Sequence, residues 1–127
     1  VVDASGLVGQ VSRVYPGSSE VMLVSSPGQL TPVLVERTGQ RGLAAGNGPS
    51  RLDLRYMPAQ TDIRPGDRLL TSGIDRLYPA GIPVARVSRV SRSQSSPYLR
   101  VECLPLAGLD RSRAVLVLIA DPQVTQP

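Results

Sequence analysis

The sequence predicts an all-β chain: two small β-barrel lobes of short antiparallel strands. Three observations carry that prediction. Gly and Pro number 12 each among 127 residues, and turn formers at that density leave no room for long helices. Apolar and polar residues alternate over residues 51–57 and 98–104, the period of a strand with one wet face. A weak internal repeat is also visible: Gly6-Leu7-Val8-Gly9-Gln10-Val11-Ser12-Arg13-Val14 resembles Gly81-Ile82-Pro83-Val84-Ala85-Arg86-Val87-Ser88-Arg89-Val90, with chance among the common Val, Ser and Arg as the alternative. Both copies end in Val-Ser-Arg-Val, and the second has one residue more, as a β-bulge would supply.

The elements follow in order. Residues 6–14 form the first strand, Pro16-Gly17-Ser18-Ser19 a turn, and residues 20–24 the second strand. After Ser26-Pro27-Gly28, residues 32–37 form a third strand with Val33 and Val35 on one face. Pro32 at its start suits a strand beginning or an edge. In the glycine-rich stretch 38–48, Leu43-Ala44-Ala45 reads as a short hairpin strand and Gly46-Asn47-Gly48 as its tip. Along residues 51–57, Leu52, Leu54 and Tyr56 face one way, and Arg51, Asp53 and Arg55 the other. Residues 58–64 connect the lobes.

Pro65-Gly66 reads as a type II turn, with Pro setting the first corner and Gly the positive φ of the second. A strand over 67–71 follows, then a Gly- and Pro-rich loop over 72–81, and a strand over 84–90. Residues 91–96 are a polar loop. In the strand 98–104, Leu99, Val101 and Cys103 point inward. Residues 105–113 are a loop or one helical turn. Residues 114–119 are continuously apolar, so a last strand covered on both faces is expected. The division is therefore 1–57 for the first lobe, 58–119 for the second and 120–127 for a flexible tail. Only residues 1–5 precede the first copy of the repeat, so the chain reads as starting partway into its first lobe, with the opening strands absent.

The side chains exclude most chemistry. There is no His in the sequence, so neither a Ser–His–Asp nor a Cys–His site exists. Ser72 has no Lys partner either, because all 14 basic residues are Arg, and Arg does not act as a base at neutral pH. Cys103 is the single cysteine and reads as a small buried hydrophobe. Asp62 and Asp67 read as turn caps, without the oxygen density of a metal cage. The glycines of 39–48 do not match a phosphate loop. No cofactor is implied. The formal charge of +4 and an isoelectric point near 10 leave one alternative, a small basic barrel that binds nucleic acid. The Arg residues are scattered and no aromatic residues interleave Arg86, Arg89 and Arg92, which argues against that reading.

Several motifs resemble one family. Gly66-Asp67-x-Leu69-x-Thr71-Ser72-Gly73 and Tyr78-Pro79-Ala80-Gly81-Ile82-Pro83-Val84 are similar to the signature of the bacterial rod shape-determining protein family MreC. Gly6-Leu7-Val8-Gly9-Gln10-Val11, Val33-x-Val35-x-Arg37-Thr38-Gly39-x-Arg41-Gly42, Gly46-Asn47-Gly48 and Leu109-Asp110-Arg111 match in the same order, so the resemblance spans roughly residues 1–119. It implies a pair of six-stranded barrels in a chymotrypsin-like arrangement without catalytic residues. It implies a periplasmic, non-catalytic scaffold that self-associates and binds a class B penicillin-binding transpeptidase, within a machinery that includes MreB, MreD and RodA. It further implies a membrane anchor, a coiled coil and opening strands before the point matching Val1.

With catalysis removed, surfaces remain as candidates. The first is the central loop with Leu77, Tyr78 and Ile82, either tucked under as a plug or exposed to a partner. The second is the glycine-rich tip around Leu43 and Asn47. Replacing Tyr78 by Asp is expected to weaken self-association or transpeptidase binding without unfolding the domain.

Overall fold

The computed structural model describes residues 1–74, 78–92, 94–108 and 115–118. Eight strands run in order: β1 (Gly9–Tyr15), β2 (Ser18–Leu23), β3 (Leu30–Val35), β4 (Arg41–Gly46), β5 (Leu52–Arg55), β6 (Arg68–Thr71), β7 (Pro83–Ser91) and β8 (Arg100–Pro105). β1 and β2 form a hairpin of their own, and the other six close into an antiparallel barrel of order β3-β4-β5-β8-β7-β6. The seam that shuts it is β3 against β6, with Val33 opposite Thr71 and Val35 opposite Leu69. The barrel takes three strands from each side of residue 58, so a boundary at 57/58 would cut it between β5 and β6. Local pattern fixes where strands lie, but not which distant strand each one pairs with.

The barrel interior follows from strand alternation. Val33, Val35, Leu52, Leu54, Leu69, Val87, Val101 and Cys103 are all buried and belong to one apolar cluster. With no Phe or Trp in the chain, this core is filled by aliphatic side chains. Met57 and Ile63 add to it from the connection after β5, and Tyr78 from the loop after β6.

One alternation fails for a physical reason. β5 was expected to keep Tyr56 on the side of Leu52 and Leu54, but the strand ends at Arg55 and Tyr56 takes φ 66°. That left-handed turn inverts the parity. Met57 drops into the core, under Gly42, and the Tyr56 ring swings outward, 58% exposed. A Cβ at residue 42 would lie 2.4 Å from the Met57 methyl, so glycine there admits the methionine.

The last predicted strand also differs. Residues 115–118 are exposed, and Leu116 makes one antiparallel bridge, to Val2. The expected cover on both faces is not there among the described residues, because no neighbouring strand flanks the segment.

The repeat is structural as well as sequential. In β1–β2 the pairing runs Val11 opposite Val21 and then Arg13 opposite Glu20, stepping over Ser12. In β7–β8 it runs Val87 opposite Cys103 and then Arg89 opposite Glu102, stepping over Ser88. The two bulges fall on the same residue of Val-Ser-Arg-Val. In each, the stepped-over serine hydroxyl donates across the strands, from Ser12 Oγ to the Glu20 carbonyl at 3.3 Å and from Ser88 Oγ to the Glu102 carbonyl at 3.0 Å. The extra residue of the second copy is Val84, which the β6–β7 register passes over between Ala85 and Pro83.

The hairpin is anchored at its base. The Leu7 N–H donates to the Pro83 carbonyl at 2.8 Å, and Leu7 and Val24 enter the barrel core. Gly6 lies so close to that carbonyl that a Cβ would sit 2.6 Å from the oxygen. A second small cluster joins Val1, Val8 and Ala107 with Val11 and Leu23.

Candidate protein-contact surfaces

The loop after β6 folds back onto the barrel because Thr71 stitches it down. The Thr71 hydroxyl donates to the Pro79 carbonyl at 2.6 Å and accepts from the Ile82 N–H at 2.9 Å. The main chain of Thr71 exchanges two further bonds, with Ile82 and Gly81, both at 2.8 Å. Gly73, at φ 74°, packs against Ala80, where a Cβ would come within 2.9 Å. The loop's closed shape therefore depends on the Thr71, Gly73 and Gly81 of the motif. Its consequence is that Tyr78 lies inside, 6% exposed.

Of the expected contact residues, Tyr78 is therefore the plug, Ile82 is half-buried against the core, and Leu77 lies outside the described residues. Replacing Tyr78 by Asp would place a charge in the core, so the expectation that the domain stays folded does not hold. Leu43 is half-buried on β4, and Asn47 is exposed in the turn after it, where its N–H donates to the Arg51 carbonyl at 3.1 Å. Leu43 pairs with Pro32 and Arg55.

A charged clamp holds the barrel's β3–β6 side. Arg37 donates from Nε and Nη2 to the two Asp67 oxygens, both at 2.9 Å, and from Nη1 to Asp62 Oδ2 at 3.0 Å. Asp67 also accepts the Arg64 N–H at 2.9 Å, closing the Pro65-Gly66 turn. The Arg37 hydrogen bonds hold both carboxyls below their ordinary range, and the carboxylates raise the guanidinium further. Asp67 thus caps its turn as expected, and Arg37 of the Arg-Thr-Gly motif is a fastener between distant segments.

Ser72 and Cys103 both sit in ordinary structural settings. The Ser72 hydroxyl accepts the Ile74 N–H at 3.4 Å, an ordinary turn contact. Burial pushes the Cys103 thiol up to about 12, so it stays protonated at neutral pH.

Alternation alone missed one surface. Tyr56 and Tyr98, 58% and 47% exposed, meet edge to face at 6.1 Å and 84°. They border a groove of about 420 Å³ between the end of β5 and the start of β8, flanked by Arg55 and Arg100. The readable signal was an Arg within two residues of a Tyr in both alternating segments; the unreadable part was the inversion at Tyr56.

Comparison with known proteins agrees with this architecture. Residues 1–119 match the family described as "Rod shape-determining protein MreC, barrel core". The cell shape-determining protein MreC of Escherichia coli (strain K12) is 42% identical over 119 residues, which is 93% of this chain and 32% of the relative. That of Haemophilus influenzae is 40% identical over 119 residues, 34% of its length. The chain thus spans about a third of the length of these relatives. The crystal structure of MreC from Pseudomonas aeruginosa superposes with a TM-score of 0.86 at 42% identity, covering 88% of this chain and 73% of that one. A closed barrel, a stitched Thr71 loop and a family match over residues 1–119 lead to one statement: the chain belongs to the rod shape-determining protein MreC family.

Proposed function

We propose that the chain serves a periplasmic, non-catalytic scaffold of the rod elongation machinery, tethered to the inner membrane by a segment outside residues 1–127. The scaffold self-associates and binds a class B penicillin-binding transpeptidase, with MreB, MreD and RodA as further members of the assembly. The observation that carries this reading is the contrast between a closed barrel and a hairpin that no strand flanks among the described residues, its β1 edge bonded to Val1 only at Gly9. A closed barrel meets partners through its side chains, whereas an open edge can pair with another strand. Val14, Tyr15, Val21 and Met22 are exposed on that hairpin and add apolar area to it. A chain without His has little means of moving protons at neutral pH, so it acts by holding other proteins.

Sedimentation of the chain up to about 1 mM detects contacts as weak as roughly 4 kcal/mol. The expected result is association that Val14→Asp with Met22→Asp abolishes while the barrel stays folded. A strictly monomeric chain that also fails to bind the purified transpeptidase would overturn the reading.

A further inference from the structure

The Tyr56–Tyr98 groove is unlike the rest of the barrel wall. After Leu54 pairs with Val101, β5 parts from β8, and the two rejoin where the Leu99 N–H reaches the Met57 carbonyl at 2.7 Å. The opening is edged by Tyr56, held in a backbone conformation that a bulky L-residue rarely adopts. That strain leaves the phenol ring in solvent, where burial gives it nothing back. Tyr98 stands against it, and Arg55 and Arg100 line the groove beside the pair, with Asp53 at its far end.

The charges select the occupant. Among the described residues Arg55 has no ion pair, and Arg100, largely in water, meets the half-buried Glu102 at 3.5 Å. Arg86 and Arg89 lie on exposed positions of the neighbouring β7, and Arg51 is exposed just before β5. Asp53 and Glu102 pair directly opposite each other in the middle of this face. A continuous run of phosphates would meet those two carboxylates, whereas a peptide can place discrete carboxylates at Arg55 and Arg100 and leave the centre uncharged. The rings offer flat apolar walls that stack a proline or aliphatic side chain at low entropic cost.

We propose that the groove between Tyr56 and Tyr98 docks an extended segment of a partner protein that carries acidic residues on either side of a proline or aliphatic residue. The site is separate from the hairpin edges and does not depend on self-association. Its peptide lies across the barrel wall, with one carboxylate on each arginine.

The test is selection of random dodecapeptides displayed on phage against the full 127-residue chain, followed by titration of the selected peptides. The expected outcome is enrichment of Asp and Glu around Pro, Leu or Ile. Arg55→Glu, Arg100→Glu and Tyr98→Ala should each weaken binding by about tenfold or more, with melting temperature unchanged. Tyr56→Asn separates docking from folding: Asn tolerates the left-handed conformation, so the variant should melt no lower yet bind at least about tenfold more weakly. Selection of no peptide, of peptides without acidic bias, or of peptides indifferent to these four substitutions would overturn the proposal. So would a single-stranded DNA twenty-mer that binds in the same groove with a steep salt dependence.

Discussion

β1–β2 and β7–β8 carry the same four residues, the same bulge and the same serine-to-carbonyl bond, yet only the second pair is enclosed. β7 has β6 on its outer edge and β8 has β5, whereas no strand flanks β1 or β2 among the described residues. The cost of this difference is visible side chain by side chain. Val87 is 1% exposed and its counterpart Val11 half-buried; Cys103 is buried where Val21 is exposed; Val14 stands 77% in water. Strand and bulge geometry are therefore written locally, while burial depends on distant strands. One end of the molecule is a finished core and the other an uncovered surface.

The largest expected effect is at the plug of the enclosed end. Tyr78→Asp should destabilise the chain by about 4 kcal/mol or more, read as a lowered urea midpoint, because it removes a buried ring and buries a charge. If the loop instead only rests on the surface, the midpoint will hardly move. Next comes one valine from each copy of the repeat, buried in the second and exposed in the first. Val87→Ala should cost about 2 kcal/mol, and Val14→Ala less than about 0.5 kcal/mol. Equal costs would mean that the hairpin is as covered as the barrel.

The Arg37 clamp belongs to the enclosed end and adds a pH dependence. Asp62 and Asp67 are held below their ordinary value, so the stability they contribute is present above the unfolded carboxylate value of about 3.9. It is lost as pH falls through their lower folded values. Urea midpoints measured from neutral to acidic pH should fall over that interval, and Arg37→Ala should flatten the fall. A small effect is also expected at the bulges. Ser88→Ala should cost about 0.5–1 kcal/mol and Ser12→Ala less, since both hydroxyl bonds lie in water and the Ser12 bond is longer.

Much of this was legible in the sequence. The Val33 and Val35 face, the inward Leu99, Val101 and Cys103, the Gly66 turn and the presence of one extra residue in the second copy all follow from period, turn chemistry and the repeat, while its position at Val84 needed the β6–β7 register. What stayed hidden has a common physical origin. The reversal at Tyr56 is decided by Met57 fitting beneath Gly42, a contact across strands that no local pattern records. The joining of β3 to β6 and of β5 to β8 into a single barrel is likewise a long-range choice. The apolar run 115–118 looked like a covered strand, but hydrophobicity states only a demand for cover, and here the described neighbours do not meet it. Of the candidate surfaces, Tyr78 was visible as a plug or a contact, and the Tyr56–Tyr98 groove was missed because alternation puts Tyr56 on the inward face.

Amide hydrogen exchange compares the two repeats directly. In the dilute chain, the amides of β7 and β8 should exchange only with global unfolding, while those of β1 and β2 exchange through cheap local opening. As the chain associates at high concentration, protection should rise on the hairpin and stay constant in the barrel. A hairpin protected as strongly as β7–β8 in the dilute monomer would contradict the account.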